Sequence, residues 1–447
     1  MESLVEKDLK YIWHPCSQMK DYEELKPIVI KKGKGVYLYD IDNNSYIDVV
    51  SSWWCNLLGH SNERINNAVK KQIDDLEHVI FANFSNIPVI NLCEGLSEIL
   101  PKQLTKFFFT DNGSSAIEAA MKMSFQYHYQ TGKPKKTRFM ALENAYHGET
   151  IGALSVSGVD LYSKMYKPLL MDIIRVEAPD CYRCKYGKCR ENCTAECFKS
   201  VKEDIEKYSS EVCGFLVEPL VQAAAGMKIY PPIFLKKLRE ECTKHNIHLI
   251  ADEIATGFGR CGEMFATEIA NISPDIMCLS KGLTGGYMPM AMAVTTNEIY
   301  NAFYADYNEG KAFMHSHTYC GNPLAASCGV EVLKIFKEEN ILENAKENDI
   351  YFNNLLNEEL GDYKYTGEIR SIGLINAIEL VKNKESKEEF DSKMRVGYQI
   401  YKEGLKRGIL LRPLGNVIYF NPPLTITKEE INKVVNLSKE AIKAILG

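Results

Sequence analysis

Two short apolar runs near the middle of the chain constrain its fold more than any other feature. Residues 249–251 and 276–279 are each short enough to be a buried strand, and ionisable residues and glycine follow both of them. In parallel α/β sheets the ligand lies at the carboxyl ends of the strands. Asp252 and Glu253, after the first run, and Lys281, after the second, are therefore expected to face one crevice.

Each part of this pattern has a simpler explanation when it is taken alone. An Asp-Glu pair after a strand is more often a helix N-cap than a catalytic group, and a single lysine is more often structural than reactive. A lysine in a partly apolar crevice, however, loses some of its preference for the ammonium form and becomes a better nucleophile. The combination of Asp252 with Lys281 therefore favours a chemical site.

The composition is that of an ordinary globular protein, with 45% hydrophobic and 25% charged residues among 447. A net charge of −6 and the absence of a basic stripe argue against a nucleic-acid partner. No run approaches the ~20 apolar residues that span a bilayer, so no membrane association is expected. The acidic N-terminal stretch MESLVEKDLKYIWHP resembles neither a signal peptide nor a transit peptide, which predicts a cytoplasmic protein.

Strands alternate with helices from about residue 107 to residue 294, a pattern that predicts an α/β fold with a mostly parallel sheet sandwiched by helices. We expect this large domain to comprise residues 63–323. A smaller α+β domain would be built from both chain ends, with residues 1–62 as its N-terminal part and residues 324–447 as its C-terminal part.

A small polar turn separates the predicted strand at residues 106–110 from a helix at 116–130. This geometry directs free backbone N–H groups at an anion, so Gly113, Ser114 and Ser115 are candidates for binding a phosphate. The pattern is weaker than a P-loop because it lacks the GxxxxGK[ST] motif.

Two aromatic motifs are further candidates for the site. Tyr146 and His147 follow a predicted strand and could stack on a planar ring, although a simple turn with an exposed histidine would read the same. Trp53 and Trp54 are adjacent in sequence. They either pack in the core or form an aromatic wall for a long apolar or adenine-bearing substrate.

Residues 181–197 read CYRCKYGKCRENCTAEC and contain five cysteines, namely Cys181, Cys184, Cys189, Cys193 and Cys197. Four of them could bind zinc, but the spacing is not that of a standard zinc ribbon. An iron–sulfur cluster and unliganded thiols in a surface insertion are the alternatives, the last being the simplest. The catalytic site itself is expected to contain no metal. The other cysteines lie in apolar stretches that are typical of a reduced cytosolic core.

Nearly the whole chain resembles the class III, fold type I aminotransferases, which depend on pyridoxal 5'-phosphate. The matching motifs are WHP (13–15), SSWW (51–54), NGSSAIEAAMKM (112–123), YHGET (146–150), ADEIATGFGR (251–260), SKGLTGG (280–286) and GNPLA (321–325). DEIATGFGR followed by SKG is highly specific for this family. SSWW and LRPLG resemble the branch that transfers an amino group to 8-amino-7-oxononanoate in biotin synthesis.

The resemblance implies a role for each matching residue. Lys281 would bond to the cofactor and move the reacting proton, and Asp252 would pair with the pyridine nitrogen. Tyr146 would stack on the ring, and Arg412 would bind the acceptor's carboxylate. Thr318 would come from the partner subunit, so that each site needs both chains of a homodimer. The full cofactor-binding set implied is Asn112, Gly113, Ser114, Tyr146, His147, Glu218, Asp252, Ile254, Lys281 and Thr318. The substrate-binding set is Trp53, Trp54, Tyr146, Lys281, Ser316 and Arg412.

The identity of the amino donor stays open between S-adenosylmethionine and lysine. Ser316-His317-Thr318 stands where adenosylmethionine users of the family carry Gly-Pro-Thr, and it is similar to relatives that use lysine. Cys16 and Leu414 stand where an aromatic residue is usual. The adjacent Trp53 and Trp54 favour the bulkier S-adenosylmethionine. A transaminase for another ω-amino acid or diamine is the alternative within the family, and a non-catalytic binding protein is the alternative outside it.

Overall fold

A computed structural model describes residues 2–447 of the chain. Its helices are α1 (Leu4–Tyr11), α2 (Ser51–Trp54), α3 (Glu63–Asp75), α4 (Ile87–Ile99), α5 (Gly113–Gln130), α6 (Ile151–Val156), α7 (Asp160–Ser163), α8 (Phe198–Tyr208), α9 (Pro232–Lys244), α10 (Ala266–Ile269), α11 (Asn297–Asn301), α12 (Pro323–Glu338), α13 (Ile341–Leu360), α14 (Val396–Lys406) and α15 (Lys428–Leu446).

The strands are β1 (Ile30–Lys34), β2 (Tyr37–Asp40), β3 (Ser45–Asp48), β4 (Leu104–Thr110), β5 (Arg138–Leu142), β6 (Ile174–Val176), β7 (Val212–Val217), β8 (Val221–Gln222), β9 (Lys228–Ile229), β10 (His248–Asp252), β11 (Ile276–Leu279), β12 (Ala291–Thr296), β13 (Thr366–Ile372), β14 (Ile375–Leu380), β15 (Ile409–Leu410) and β16 (Val417–Phe420).

Seven strands form the central sheet in the order β4-β12-β11-β10-β7-β5-β6. Strands β11, β10, β7, β5 and β6 pair in parallel, whereas β12 runs antiparallel to both of its neighbours. Every residue of β7 and β10 is buried, as expected when helices cover both faces of a parallel sheet. The predicted mostly parallel α/β sheet is therefore confirmed.

The two chain ends meet in a second sheet with the order β1-β2-β3-β15. Here Ile409 of the C-terminal part pairs in parallel with Ile47 of the N-terminal part. A third sheet, β13-β14-β16, is antiparallel. This pairing supports a smaller α+β region drawn from both ends, while its boundaries at residues 62 and 323 stay a prediction. No helix within residues 2–447 is long and apolar enough to cross a membrane.

Candidate active site

A cavity of about 1700 Å³ lies where the central strands end. The residues that follow β4, β5, β7, β10 and β11 all line it, because these five strands have their carboxyl ends at the same edge of the sheet. Asp252 and Lys281 are both among the lining residues. Asp252 and Lys281 therefore share one crevice, as predicted. The prediction is wrong for Glu253, which does not line the cavity because its buried carboxylate accepts hydrogen bonds from the hydroxyl of Thr256 and from the N–H of Thr267 at 2.8 Å.

Lys281 begins a short 3₁₀ helix directly after β11. Its φ of +42° is in the left-handed region, which costs a residue with a Cβ on the order of 1 kcal/mol. The side-chain Nζ lies 4.6 Å from the centroid of the Trp54 ring. Burial lowers the pKa of Lys281, and the carboxylate of Asp252 opposes that shift. The amine therefore loses its proton more readily than a surface lysine.

Asp252 ends β10, and two hydrogen bonds fix its carboxylate. Its Oδ2 accepts a hydrogen bond from Nδ1 of His147 at 2.7 Å, and its Oδ1 accepts one from the N–H of Ile254 at 3.1 Å. Both side chains are buried. Since a carboxylate can only accept, Nδ1 of His147 carries the proton. Nε2 of His147 is buried without a partner among the described residues 2–447.

Glu218 follows β7 as a second buried acid. Its Oε2 accepts a hydrogen bond from the N–H of Tyr146 at 2.9 Å, and its Oε1 accepts one from Ala223 at 3.0 Å. Burial raises the pKa of Glu218 to about 7, and the neighbouring Asp252 adds to the shift, whereas His147 opposes it. Burial thus favours the protonated form of Glu218 next to the Asp252–His147 pair.

The N-terminus of α5 faces the cavity, which Asn112, Gly113 and Ser114 help to line. Asn112 is the N-cap, and its side chain accepts a hydrogen bond from the N–H of Ser115 at 3.1 Å. A Cβ on Gly113 would come within 2.9 Å of Ile254. The first turn of this 18-residue helix thus presents backbone N–H groups and its positive dipole end, the usual arrangement for an anion.

Tyr146 lies beside this turn, at the end of β5. Its hydroxyl donates a hydrogen bond to Glu149 at 2.9 Å, and its ring centroid is 5.2 Å from that of Tyr162. Gly148, with φ +122°, brings the chain so close to α5 that a Cβ there would overlap the hydroxyl of Ser114. The ring of Tyr146 is thereby held at the cavity wall.

The two adjacent tryptophans have different environments. All four residues from Ser51 to Trp54 have positive φ, so the chain turns sharply here. Trp54 is buried and donates a hydrogen bond from Nε1 to the hydroxyl of Tyr419 at 3.0 Å, whereas Trp53 is 43% exposed. The prediction that these tryptophans pack in the core is therefore correct for Trp54 but not for Trp53. Both rings nevertheless line the cavity.

Arg412 stacks on the exposed ring of Trp53. Its guanidinium carbon is 4.8 Å from the ring centroid, and Nη2 donates a hydrogen bond to the carbonyl of Cys16 at 3.1 Å. No carboxylate of the described residues 2–447 lies within 4.0 Å of this guanidinium, which lines the cavity. Arg412 is thus available to a negatively charged ligand.

Ser316 and Thr318 do not join this site within one chain. Both are exposed, and neither lines the cavity. The carbonyl of Thr318 accepts a hydrogen bond from His78 at 2.9 Å. Their roles in cofactor and substrate binding stay predictions that require a second chain.

Arg260 was not predicted as a site residue. It is fully buried, and its guanidinium donates hydrogen bonds to carbonyl oxygens, including that of Asn56 at 3.1 Å and that of Pro422. Its charge helps to lower the pKa of Lys281. The only sequence signal was a cation at the end of a glycine-rich turn, which does not reveal burial.

The aminotransferase class-III family model matches residues 18–442 of the chain. The chain belongs to this family. It is 43% identical to the adenosylmethionine-8-amino-7-oxononanoate aminotransferase of Geobacter sulfurreducens, over 100% of this chain and 98% of that protein. It is 44% identical to the Helicobacter pylori protein of the same name, over 97% and 96% of the two chains.

Solved structures are similar as well. The crystal structure of adenosylmethionine-8-amino-7-oxononanoate aminotransferase from Methanocaldococcus jannaschii superposes with a TM-score of 0.93 at 40% identity and covers 99% of both chains. The omega transaminase of Pseudomonas jessenii in complex with PMP superposes with a TM-score of 0.94 at 31% identity, over 99% of this chain and 98% of that chain. The fold type I architecture is confirmed.

Class III aminotransferases depend on pyridoxal 5'-phosphate, so the chain is an enzyme that uses this cofactor. The side chains fit that group. The N-terminus of α5 offers an anion site, the side chain of Asp252 is oriented by hydrogen bonds from His147 and Ile254, and Lys281 is an amine with a lowered pKa. The buried Nε2 of His147, which has no partner among residues 2–447, is consistent with a site that a polar ligand completes.

Proposed function

We propose that this enzyme transfers an amino group from S-adenosylmethionine to 8-amino-7-oxononanoate and yields 7,8-diaminononanoate, a step of biotin synthesis. The observation that carries the proposal is the position of Arg412, an unpaired cation on the wall of a long cavity that also contains Lys281. The end-to-end similarity to relatives of the corresponding name, at 43% and 44% identity, supports it.

The cofactor would be bound by residues from several strand ends. Asn112, Gly113 and Ser114 would bind its phosphate at the N-terminus of α5. Asp252, oriented by His147, would pair with the pyridine nitrogen. The remaining contacts would come from Tyr146, Glu218, Ile254 and Lys281, and from Thr318 of a second chain.

Pyridoxal 5'-phosphate, when bound, supplies a carbonyl carbon that carries the amino group and a ring that accepts electrons from the reacting carbon. Lys281 would take the proton from the carbon that bears the donor's amino group and, in the second half-reaction, deliver a proton to the corresponding carbon of the acceptor. Its lowered pKa makes the neutral, proton-accepting amine available, and the ring of Trp54 stabilises the ammonium that forms. Asp252 would keep the pyridine nitrogen protonated throughout.

Arg412 would orient the acceptor by pairing with its carboxylate. Trp53 holds the guanidinium by stacking, and the hydrogen bond to the carbonyl of Cys16 fixes one of its nitrogens. Trp53 and Trp54 would form the apolar wall along which the acceptor's carbon chain lies. An acceptor without a carboxylate should therefore bind poorly.

Supplying one donor at a time tests the donor assignment. With S-adenosylmethionine alone, the holoenzyme should lose the visible absorbance of its cofactor, and 8-amino-7-oxononanoate should then restore it. Loss of the absorbance with lysine alone would overturn S-adenosylmethionine as the donor and leave the assignment of the acceptor unchanged.

The similarity to the omega transaminase of Pseudomonas jessenii supports a second candidate function, a transaminase for another ω-amino acid or diamine. Failure of 8-amino-7-oxononanoate to restore the absorbance would favour that candidate.

We further propose a homodimer with shared active sites in the cytoplasm. Thr318 and Ser316 lie outside their own cavity, among exposed apolar side chains that include Met314 and Tyr319. The cysteines, all free, support a reducing compartment. Mixing inactive K281A and T318A chains tests the assembly. Shared sites predict that mixed dimers regain activity at one of their two sites, whereas independent sites predict no recovery.

A further inference from the structure

The cysteine-rich segment forms a second cavity outside the catalytic machinery. Four of its five cysteines, Cys181, Cys184, Cys193 and Cys197, line a cavity of about 270 Å³, here called the thiol pocket. The fifth, Cys189, is exposed and does not line it. All of these cysteines are free thiols.

The four lining cysteines occur as two pairs in the sequence. Cys181 and Cys184 are separated by two residues, and Cys193 and Cys197 by three. A spacing of two to four residues allows one turn of chain to present two sulfurs to the same metal ion. The thiol pocket thus combines two such turns, whereas the exposed Cys189 belongs to neither.

The segment has little else to order it. Its regular structure is limited to a 3₁₀ turn, Arg190–Asn192. Ion pairs tie its surface to the rest of the protein, such as Arg190 to Glu368 at 3.0 Å and Lys185 to Glu177 at 2.6 Å. Partly exposed ion pairs contribute little, and short segments with little apolar core of their own are commonly held by disulfides or metal ions.

The four sulfurs that line the pocket do not form a closed metal cluster by themselves. Among residues 2–447, no three of these sulfurs lie within 4.8 Å of one another, so a bound ion must draw them together. Each thiol that binds must release its proton.

We propose that Cys181, Cys184, Cys193 and Cys197 bind one zinc ion through four thiolates. Zinc is the metal that tetrahedral sets of four thiolates most often hold in structural sites, at roughly 2.3 Å from each sulfur. The ion would cross-link the two turns and take no part in amino transfer.

The position of the pocket gives this cross-link a consequence for the active site. Asp180, Arg183 and Lys228 line both the thiol pocket and the active-site cavity. Arg183 is also paired with Glu379 and, at 3.2 Å, with Glu389. Zinc would therefore fix one wall of the active-site cavity, and its loss should affect substrate binding more than the chemical step.

Elemental analysis of the purified holoenzyme tests the proposal. We expect roughly one zinc per chain in the wild type and in C189S, and less than roughly 0.1 in C184S and C193S. Because C189S changes a cysteine of the same segment that lies outside the pocket, it is the matched control. A wild type without stoichiometric zinc after purification with added zinc sulfate would overturn the proposal, as would an equal loss of zinc in C189S.

A measurement on the wild type alone guards against misfolded variants. Mercurial modification of the thiols should release about one equivalent of zinc to a coloured chelator while the absorbance of the bound cofactor persists. Intact-mass analysis after alkylation without reductant tests the alternative that these cysteines form disulfides. A mass that indicates a disulfide among these cysteines would overturn the zinc site and leave the proposed amino transfer untouched.

Discussion

The active-site crevice and the thiol pocket share a wall, yet they are built in different ways. In the crevice, Asp252 ends one buried strand and Lys281 follows another, and hydrogen bonds such as the 2.7 Å contact between Asp252 and His147 fix the polar atoms. In the thiol pocket, the cysteines lie on a segment with almost no regular structure. A rigid sheet can preorganise a site by itself, whereas an irregular segment needs a cross-link to do so.

The largest effect is expected at Lys281. Replacing it by alanine removes the group proposed to move the proton, so kcat should fall by roughly 10⁴-fold or more. Steady-state kinetics checks this, with K334A, at a surface lysine that is 57% exposed, as the control. If K281A kept near-wild-type activity, the crevice would not be the catalytic site, and the contrast with the thiol pocket would lose its basis.

Asp252→Asn should have the next largest effect. The amide is neutral and cannot stabilise a protonated pyridine nitrogen, so the rate of each half-reaction should fall roughly 10³-fold. Stopped-flow measurement of cofactor absorbance checks this, with D172N, whose carboxylate is 84% exposed, as the control. An unchanged rate would mean that the Asp252–His147 pair only supports the fold.

Arg412→Ala should impair recognition of the acceptor. Loss of a charge-assisted pair costs roughly 3 kcal/mol, which corresponds to an increase of about 100-fold in KM for 8-amino-7-oxononanoate. R412K should recover part of the loss, since lysine keeps the charge but not the paired geometry. If R412A impaired kcat and KM equally for the donor and for the acceptor, Arg412 would instead support the structure of the cavity.

Glu218→Gln tests whether burial in the active-site crevice makes the stability of the protein depend on pH. The folded-state pKa of about 7 lies above the usual value of 4.5, so the folded protein binds this proton more tightly than the unfolded chain. The stability from Glu218 is full below pH 4.5 and is lost as the pH rises through 7. Between pH 4.5 and 7, the free energy of unfolding of the cofactor-free wild type should therefore fall by roughly 2 kcal/mol more than that of cofactor-free E218Q. Urea unfolding at several pH values measures this difference. Parallel pH profiles for the two proteins would contradict this.

The smallest effect concerns the thiol pocket. C184S should raise KM about threefold through the shared wall at Asp180 and Arg183, and it should leave kcat within about twofold, because the pocket contains no proposed catalytic group. C189S should match the wild type in both constants. A large fall in kcat for C184S would show that the two regions are coupled more tightly than their shared wall implies.

Local patterns in the sequence were sufficient to predict the sheet, the crevice and its main residues. Short apolar runs indicate buried strands, and ionisable residues directly after them must lie at the strand ends, as Asp252 and Lys281 do. The N-terminus of α5 was likewise recognisable, because a helix start depends on consecutive residues such as Asn112 and Gly113, although the helix begins at Gly113 and not at the predicted Ala116.

What only the tertiary structure decided depends on contacts between distant parts of the chain. Trp54 is buried and donates its indole hydrogen bond to Tyr419, 365 residues away, whereas the adjacent Trp53 stays half-exposed. The raised pKa of Glu218 and the carbonyl oxygens around Arg260 follow from burial among separate segments. Local patterns cannot encode these features, because burial and long-range pairing arise only when the whole chain has packed.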